Sequence, residues 1–89
     1  MTEPRYSAPE SVLKAPSEDG TVLLNVASGE YHYLNGTAEQ VYALLTEGGT
    51  LEEAAEVLER EYDVPLSQAH SDCKTLVSDL LGRGLLVPS

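Results

Sequence analysis

The chain has 89 residues, a length that builds one small domain around a single core and leaves little room for a deep substrate cleft. Fifteen acidic residues against five basic give a net charge of −10. The basic ones (Arg5, Lys14, Arg60, Lys74 and Arg83) are scattered, so the clustered cations that nucleic acid or an anionic membrane demands are missing.

A single cysteine, Cys73, excludes an internal disulfide and a cysteine-built metal site. No apolar run approaches the roughly 20 residues of a membrane span, and Met1-Thr2-Glu3-Pro4 does not begin a secretion signal. A soluble, cytoplasmic protein is expected. Its apolar content of 42% suffices for a compact fold, and its acidity suits a neutral or basic peptide, or a basic patch on another protein.

Residues 1–9, with Pro4 and Pro9 and few apolar side chains, read as a flexible lead-in. Residues 11–14 form a weak first strand. Pro16-Ser17-Glu18-Asp19-Gly20 is turn chemistry, each of Pro, Asp and Gly favouring a reversal for its own backbone reason. Residues 21–27 make a second strand, with Val22, Leu24 and Val26 on one face and Thr21, Leu23 and Asn25 on the other. Ser28-Gly29 marks a tight hairpin into a third, aromatic strand over 30–34, antiparallel to the second because the connection is short.

The pattern then turns helical. Ala38, Val41, Tyr42, Leu44 and Leu45 recur three and four apart, with Thr37 and Gln40 at capping-box spacing. Gly48-Gly49 closes that helix as left-handed C-cap residues do. Thr50 and Glu53 open a second helix with another capping box, its inward stripe Leu51, Ala54, Ala55, Leu58 and Tyr62 and its glutamates outward. Val64-Pro65 breaks it. A third helix over 66–81 carries the stripe Ala69, Cys73, Leu76, Val77 and Leu80; Gly82-Arg83-Gly84 stops it, and Leu85-Leu86-Val87 folds back as an apolar tail. Strands first and helices after predict an α+β domain, a three-stranded antiparallel sheet followed by three helices in winged helix-turn-helix outline.

Few side chains suggest catalysis. His32 and His70 lack ligand spacing around them, so no metal site is predicted. Cys73 and His70 stand three apart on one helix without an orienting third group, and Cys73 reads as a small core residue. No nucleophile–base–orienter set is apparent, no cofactor is implied, and the chain is read as a non-enzyme.

Taken in order, Gly29-Glu30-Tyr31-His32-Tyr33-Leu34-Asn35-x-Thr37-Ala38, Val41-Tyr42-x-Leu44-Leu45 and Gly49-Thr50-Leu51-x-Glu53-Ala54-Ala55 resemble the PqqD-like family, the recognition elements for precursors of ribosomally made, modified peptides. Leu58, Tyr62-Asp63-Val64, Asp72, Leu76, Val77, Leu80 and Gly84-Leu85-Leu86 continue the resemblance, which spans about residues 10–87 and sets the expected domain. Within the family, a free-standing chain of this size is most similar to the leader-binding protein of lasso-peptide biosynthesis.

The resemblance implies that a precursor's leader adds as an antiparallel strand along the third strand, its side chains entering a groove against the third helix. The implied peptide-binding residues are Glu30, Tyr31, His32, Tyr33 and Leu34 on the strand, with Asp72, Leu76, Asp79 and Leu80 as the helical wall. Alternation separates Tyr31 and Tyr33 from His32 and Leu34, and Leu34 is expected to face the interior. Two carboxylates in the wall would favour a leader carrying Lys or Arg. Implied partners are the leader, a transglutaminase-like cysteine protease acting as leader peptidase, and the macrolactam cyclase; nucleic acid and membrane are not. A peptide chaperone of another pathway, such as that of pyrroloquinoline quinone, is the alternative. A winged-helix transcription regulator fits the outline but not the acidic third helix. An acyl carrier fits the size but lacks the Asp-Ser-Leu order.

Overall fold

The computed structural model describes residues 5–89. Its elements run β1 (Tyr6–Ser7), β2 (Val12–Ser17), β3 (Gly20–Asn25), β4 (Glu30–Asn35), α1 (Gly36–Thr46), α2 (Leu51–Tyr62), α3 (Leu66–Gly82) and β5 (Val87–Pro88). β2, β3 and β4 form an antiparallel sheet in that order, and three helices follow. This is the α+β, winged-helix-like arrangement the sequence predicts. Tyr6 and Ser7, within the stretch read as a lead-in, pair antiparallel with Pro88 and Val87, while residues 1–4 lie outside the described ones.

The first hairpin is tighter than its turn chemistry suggested. Pro16 and Ser17 belong to β2, opposite Thr21 and Gly20, which leaves only Glu18 and Asp19 to reverse the chain. Pro16 is tolerated there because β2 is an edge strand and its missing N–H breaks no second ladder. Gly20 is required by packing: a side chain at that position would collide with the Leu34 carbonyl of β4.

The second hairpin is closed by Asn25, whose Oδ1 accepts from the Ala27 and Ser28 amides at 3.0 and 3.4 Å, and by Gly29 at φ +76°. The resulting register pairs Leu23 with His32 and Thr21 with Leu34 on the helix-facing side. Thr21, Leu23 and Leu34 are buried, whereas Tyr31 and Tyr33 on the opposite face are exposed.

β4 runs into α1 with no loop, and this corrects the capping expectation. The N-cap is Asn35, without a side-chain bond, rather than Thr37. Gln40 is drawn to another element: its Nε2 donates to Glu61 Oε2 and its Oε1 accepts from the Tyr62 hydroxyl, each at 3.2 Å. A tertiary partner thus outcompetes the local cap. Tyr62 is correspondingly 44% exposed and not part of the inward stripe. Glu39 supplies the negative charge favoured in a first turn, held by the Thr21 hydroxyl at 2.6 Å.

α1 and α3 end in the same way. Gly48 and Gly84 have φ of +100° and +72°, and each follows a C-cap residue. Gly49 N–H bonds the Leu44 carbonyl at 2.9 Å and Leu85 N–H the Leu80 carbonyl at 2.9 Å, the six-to-one bond of a Schellman motif. α2 opens with the expected box: Glu53 N–H to Thr50 Oγ1 at 3.1 Å and Thr50 N–H to Glu53 Oε1 at 2.9 Å.

Core residues come from every layer, including Leu23, Leu45, Ala55, Leu80 and the folded-back Leu85 and Leu86. The Tyr42 hydroxyl donates to the Leu85 carbonyl at 3.0 Å, fixing that tail. Cys73 is fully buried, as its place in the helical stripe suggested. No helix is long and apolar enough to cross a membrane among the described residues.

Candidate functional site

The sheet has two edges. β2 carries Lys14 and Pro16, residue types that discourage pairing with a further chain. β4 carries neither charge nor proline between Tyr31 and Asn35, and among the described residues it pairs with β3 along one side only. Because N–H and C=O groups alternate sides along an antiparallel ladder, the other side of β4 presents a row of backbone groups to solvent.

Beside that row lies a groove of about 380 Å³. Tyr31, His32, Tyr33 and Leu34 line its strand side. Leu76, Asp79 and Leu80 of α3 line the facing side, spaced three and four apart and so stacked on one helical face. Seven of the nine residues singled out from sequence therefore meet at one groove. Glu30 sits at the start of β4 and Asp72 two turns earlier on α3; both are exposed and neither lines the groove.

Ala38, Arg83 and Leu85 complete the lining and were not anticipated. Arg83 was legible as the i+4 partner of Asp79. Leu85 reaches the groove only because the α3 Schellman turn folds the tail back.

Arg83 changes the electrostatics. Its Nε donates to Asp79 Oδ2 at 3.0 Å, with both side chains 53% exposed. With Asp72 outside and Asp79 already matched by a guanidinium, the wall is a neutral ion pair and not the expected double carboxylate. Exposed pairs of this kind contribute only about 0–1 kcal/mol, so a guest can exchange with either partner.

His32 Nε2 is buried and has no hydrogen-bond partner among the described residues. Leaving such a group unsatisfied costs about 1–3 kcal/mol. A broader depression of about 730 Å³ runs along the outer side of α3 past Lys74, Thr75 and Ser78, but no sheet edge borders it. Among the described residues no three His, Cys, Asp or Glu side chains converge to hold a metal ion. Burial pushes the Cys73 thiol pKa up, and the neighbouring Asp72 charge adds to it, which suits an inert core thiol and not a nucleophile.

Fold and groove together define a small winged-helix-like domain with an unpaired aromatic sheet edge beside its last helix. The family described as Coenzyme PQQ synthesis protein D (PqqD) matches residues 20–86, and the chain belongs to that family. It is similar to a solved structure described as lasso peptide synthetase B1 complexed with the leader peptide, at 32% identity over 94% of this chain and 99% of that one, with a TM-score of 0.88. It is also similar to TbiB1 in complex with the TbiA(beta) leader peptide, at 28% identity over 90% and 93% of the two chains, with a TM-score of 0.83. No curated protein matches the chain.

Proposed function

We propose that this chain is a non-catalytic recognition module that binds the leader of a ribosomally made precursor peptide and delivers it to a maturation protease in lasso-peptide biosynthesis. The observation that carries this reading is the unpaired edge of β4 lying directly against the groove formed with α3. An extended leader completes the ladder, which supplies affinity without sequence, and the groove selects its alternate side chains. The similarity to two proteins solved with leader peptides supports the same reading. The recognition domain is residues 10–87, and Tyr31, His32, Tyr33, Leu34, Leu76, Asp79 and Leu80 receive the guest. The partners are the leader, a transglutaminase-like leader peptidase and the macrolactam cyclase.

Family membership favours one alternative, a peptide chaperone of the pyrroloquinoline quinone pathway, because the matching family carries that description. The neighbouring reading frames separate the two. A short precursor, a transglutaminase-like protease and an asparagine-synthetase-like cyclase indicate the lasso pathway.

Proline substitution tests strand addition. Adjacent residues of β4 point their N–H groups to opposite sides, so of His32→Pro and Tyr33→Pro one deletes a donor facing the guest and the other a donor facing β3. Fluorescence anisotropy with the labelled precursor leader, alongside circular dichroism, is expected to show one folded variant with weakened binding and one destabilised variant. Unchanged affinity in two folded variants would defeat strand addition.

A further inference from the structure

A second groove, of about 630 Å³, lies between α1 and α2 and shares no lining residue with the groove beside β4. Its floor is apolar, built from Ala43, Leu44 and Val57. Its rim carries Glu47, Glu53 and Glu61, with Arg5 reaching one end at Gly48. Glu53 is held by the Thr50 amide and Glu61 by the Gln40 side chain, so two of the three carboxylates are fixed in place before any partner arrives. At the α1 C-cap the Glu47 N–H bonds the Ala43 carbonyl at 3.1 Å, while its carboxylate makes no hydrogen bond or ion pair among the described residues.

A cation already occupies one end of this rim. Arg5 Nη1 donates to the Gly48 carbonyl, which the left-handed turn at Gly48 leaves outside the helical ladder. The Arg5 backbone is itself anchored, its carbonyl accepting from the Ser89 amide at 2.9 Å. With Arg5 on the Gly48 carbonyl, the rim still offers a partner's guanidinium its carboxylates, while the floor offers an aliphatic side chain a place to bury.

We infer that the groove between α1 and α2 docks a partner protein through a cationic segment, an aliphatic residue on the floor bracketed by Arg or Lys on the rim. Charge complementarity selects this occupant: the chain carries −10 overall and places three carboxylates around one apolar strip. A second copy is a poor occupant, because no two of its basic residues lie closer than the nine positions between Arg5 and Lys14, so it has no aliphatic residue closely bracketed by cations. The proposal does not depend on strand addition, since the two grooves are separate and can be filled together.

The test is a nitrogen-15 NMR titration of the full chain with acetylated, amidated Arg-Leu-Arg, against Arg-Gly-Arg as comparator. Saturable shifts are expected at Ala43, Leu44, Gly49 and Val57, stronger for Arg-Leu-Arg. Glu47→Lys, at an exposed position without side-chain bonds, is expected to weaken binding about threefold or more, the scale of one or two exposed charge contacts. Glu61→Gln is a second variant that keeps its hydrogen-bonding shape and is expected to weaken binding less. Tyr33→Pro leaves the shifts in place if that variant folds, which separates this site from the leader groove.

Equal shifts with both peptides would overturn the proposal, since the apolar floor would then contribute nothing. So would shifts spread over Glu52, Glu56 and Glu59 on the outer face of α2, an absence of shifts, indifference to Glu47→Lys in a folded variant, or line broadening with protein concentration alone, which would mean self-association.

Discussion

Leu76 and Leu80 stand four residues apart on the same face of α3, yet they carry different loads. Leu80 is 1% exposed and belongs to the core, whereas Leu76 is half-buried at the groove wall. Leu80→Ala is expected to destabilise the fold by about 2–5 kcal/mol. Leu76→Ala is expected to lose roughly half of that or less, because its site is already partly open to water. Urea unfolding of both variants checks the ordering, and only Leu76→Ala then isolates an effect on leader binding. Cys73 gives a second test. A thiol whose pKa is raised by burial is protonated and shielded in the native state, so reaction with a disulfide reagent at neutral pH should follow the rate of opening. For linkage, the native state keeps a proton that the unfolded chain has already lost, so stability falls as pH rises from the ordinary thiol value of 9.0 toward the raised one. Burial of Tyr42 acts the same way above 10.0. A thermal melt series from neutral to alkaline pH should therefore be flat at first and fall above about pH 9.

At the scale of elements, the two capping boxes read from sequence had different fates. Thr50 and Glu53 satisfy each other, so Thr50→Ala should destabilise the domain by about 1 kcal/mol, visible as a lower unfolding midpoint in urea. Thr37 and Gln40 have the same spacing but no such bond, and Thr37→Ala should leave the midpoint close to that of the parent. The difference is tertiary. α2 starts after the Gly48–Gly49 turn and caps its own first turn, while α1 continues directly out of β4 and has Glu61 and Tyr62 nearby to claim Gln40. Helix lengths, the glycine stops and the hairpin at Gly29 follow from local chemistry and were legible. The limits of β2 were not, because whether Pro16 ends a strand depends on its being at an edge.

For the whole molecule, an added strand would join the sheet and the helical layer along a border that now faces water. Ligand binding of that kind raises stability by mass action, about 2.7 kcal/mol when the leader is at one hundred times its Kd. The expected signature is a higher melting temperature together with slowed hydrogen exchange at alternate amides of β4, the outward-facing ones. Uniform protection of every β4 amide would instead indicate general stiffening without a new ladder.

Periodicity, turn residues and caps are properties of short windows, and they determined the element order, the α+β class and the aromatic strand before the first helix. The acidic composition likewise argued against phosphate backbones with no knowledge of shape. Which residues share a groove could not be settled that way, since it depends on register and on where α3 and the tail come to rest. Only tertiary packing set the Asp79–Arg83 pair beside β4, left Asp72 outside, brought Leu85 into that groove and set an acidic groove between α1 and α2. The reason is range: a helix or turn is fixed by neighbours three or four residues away, whereas a groove is made by side chains that meet only after the core has closed.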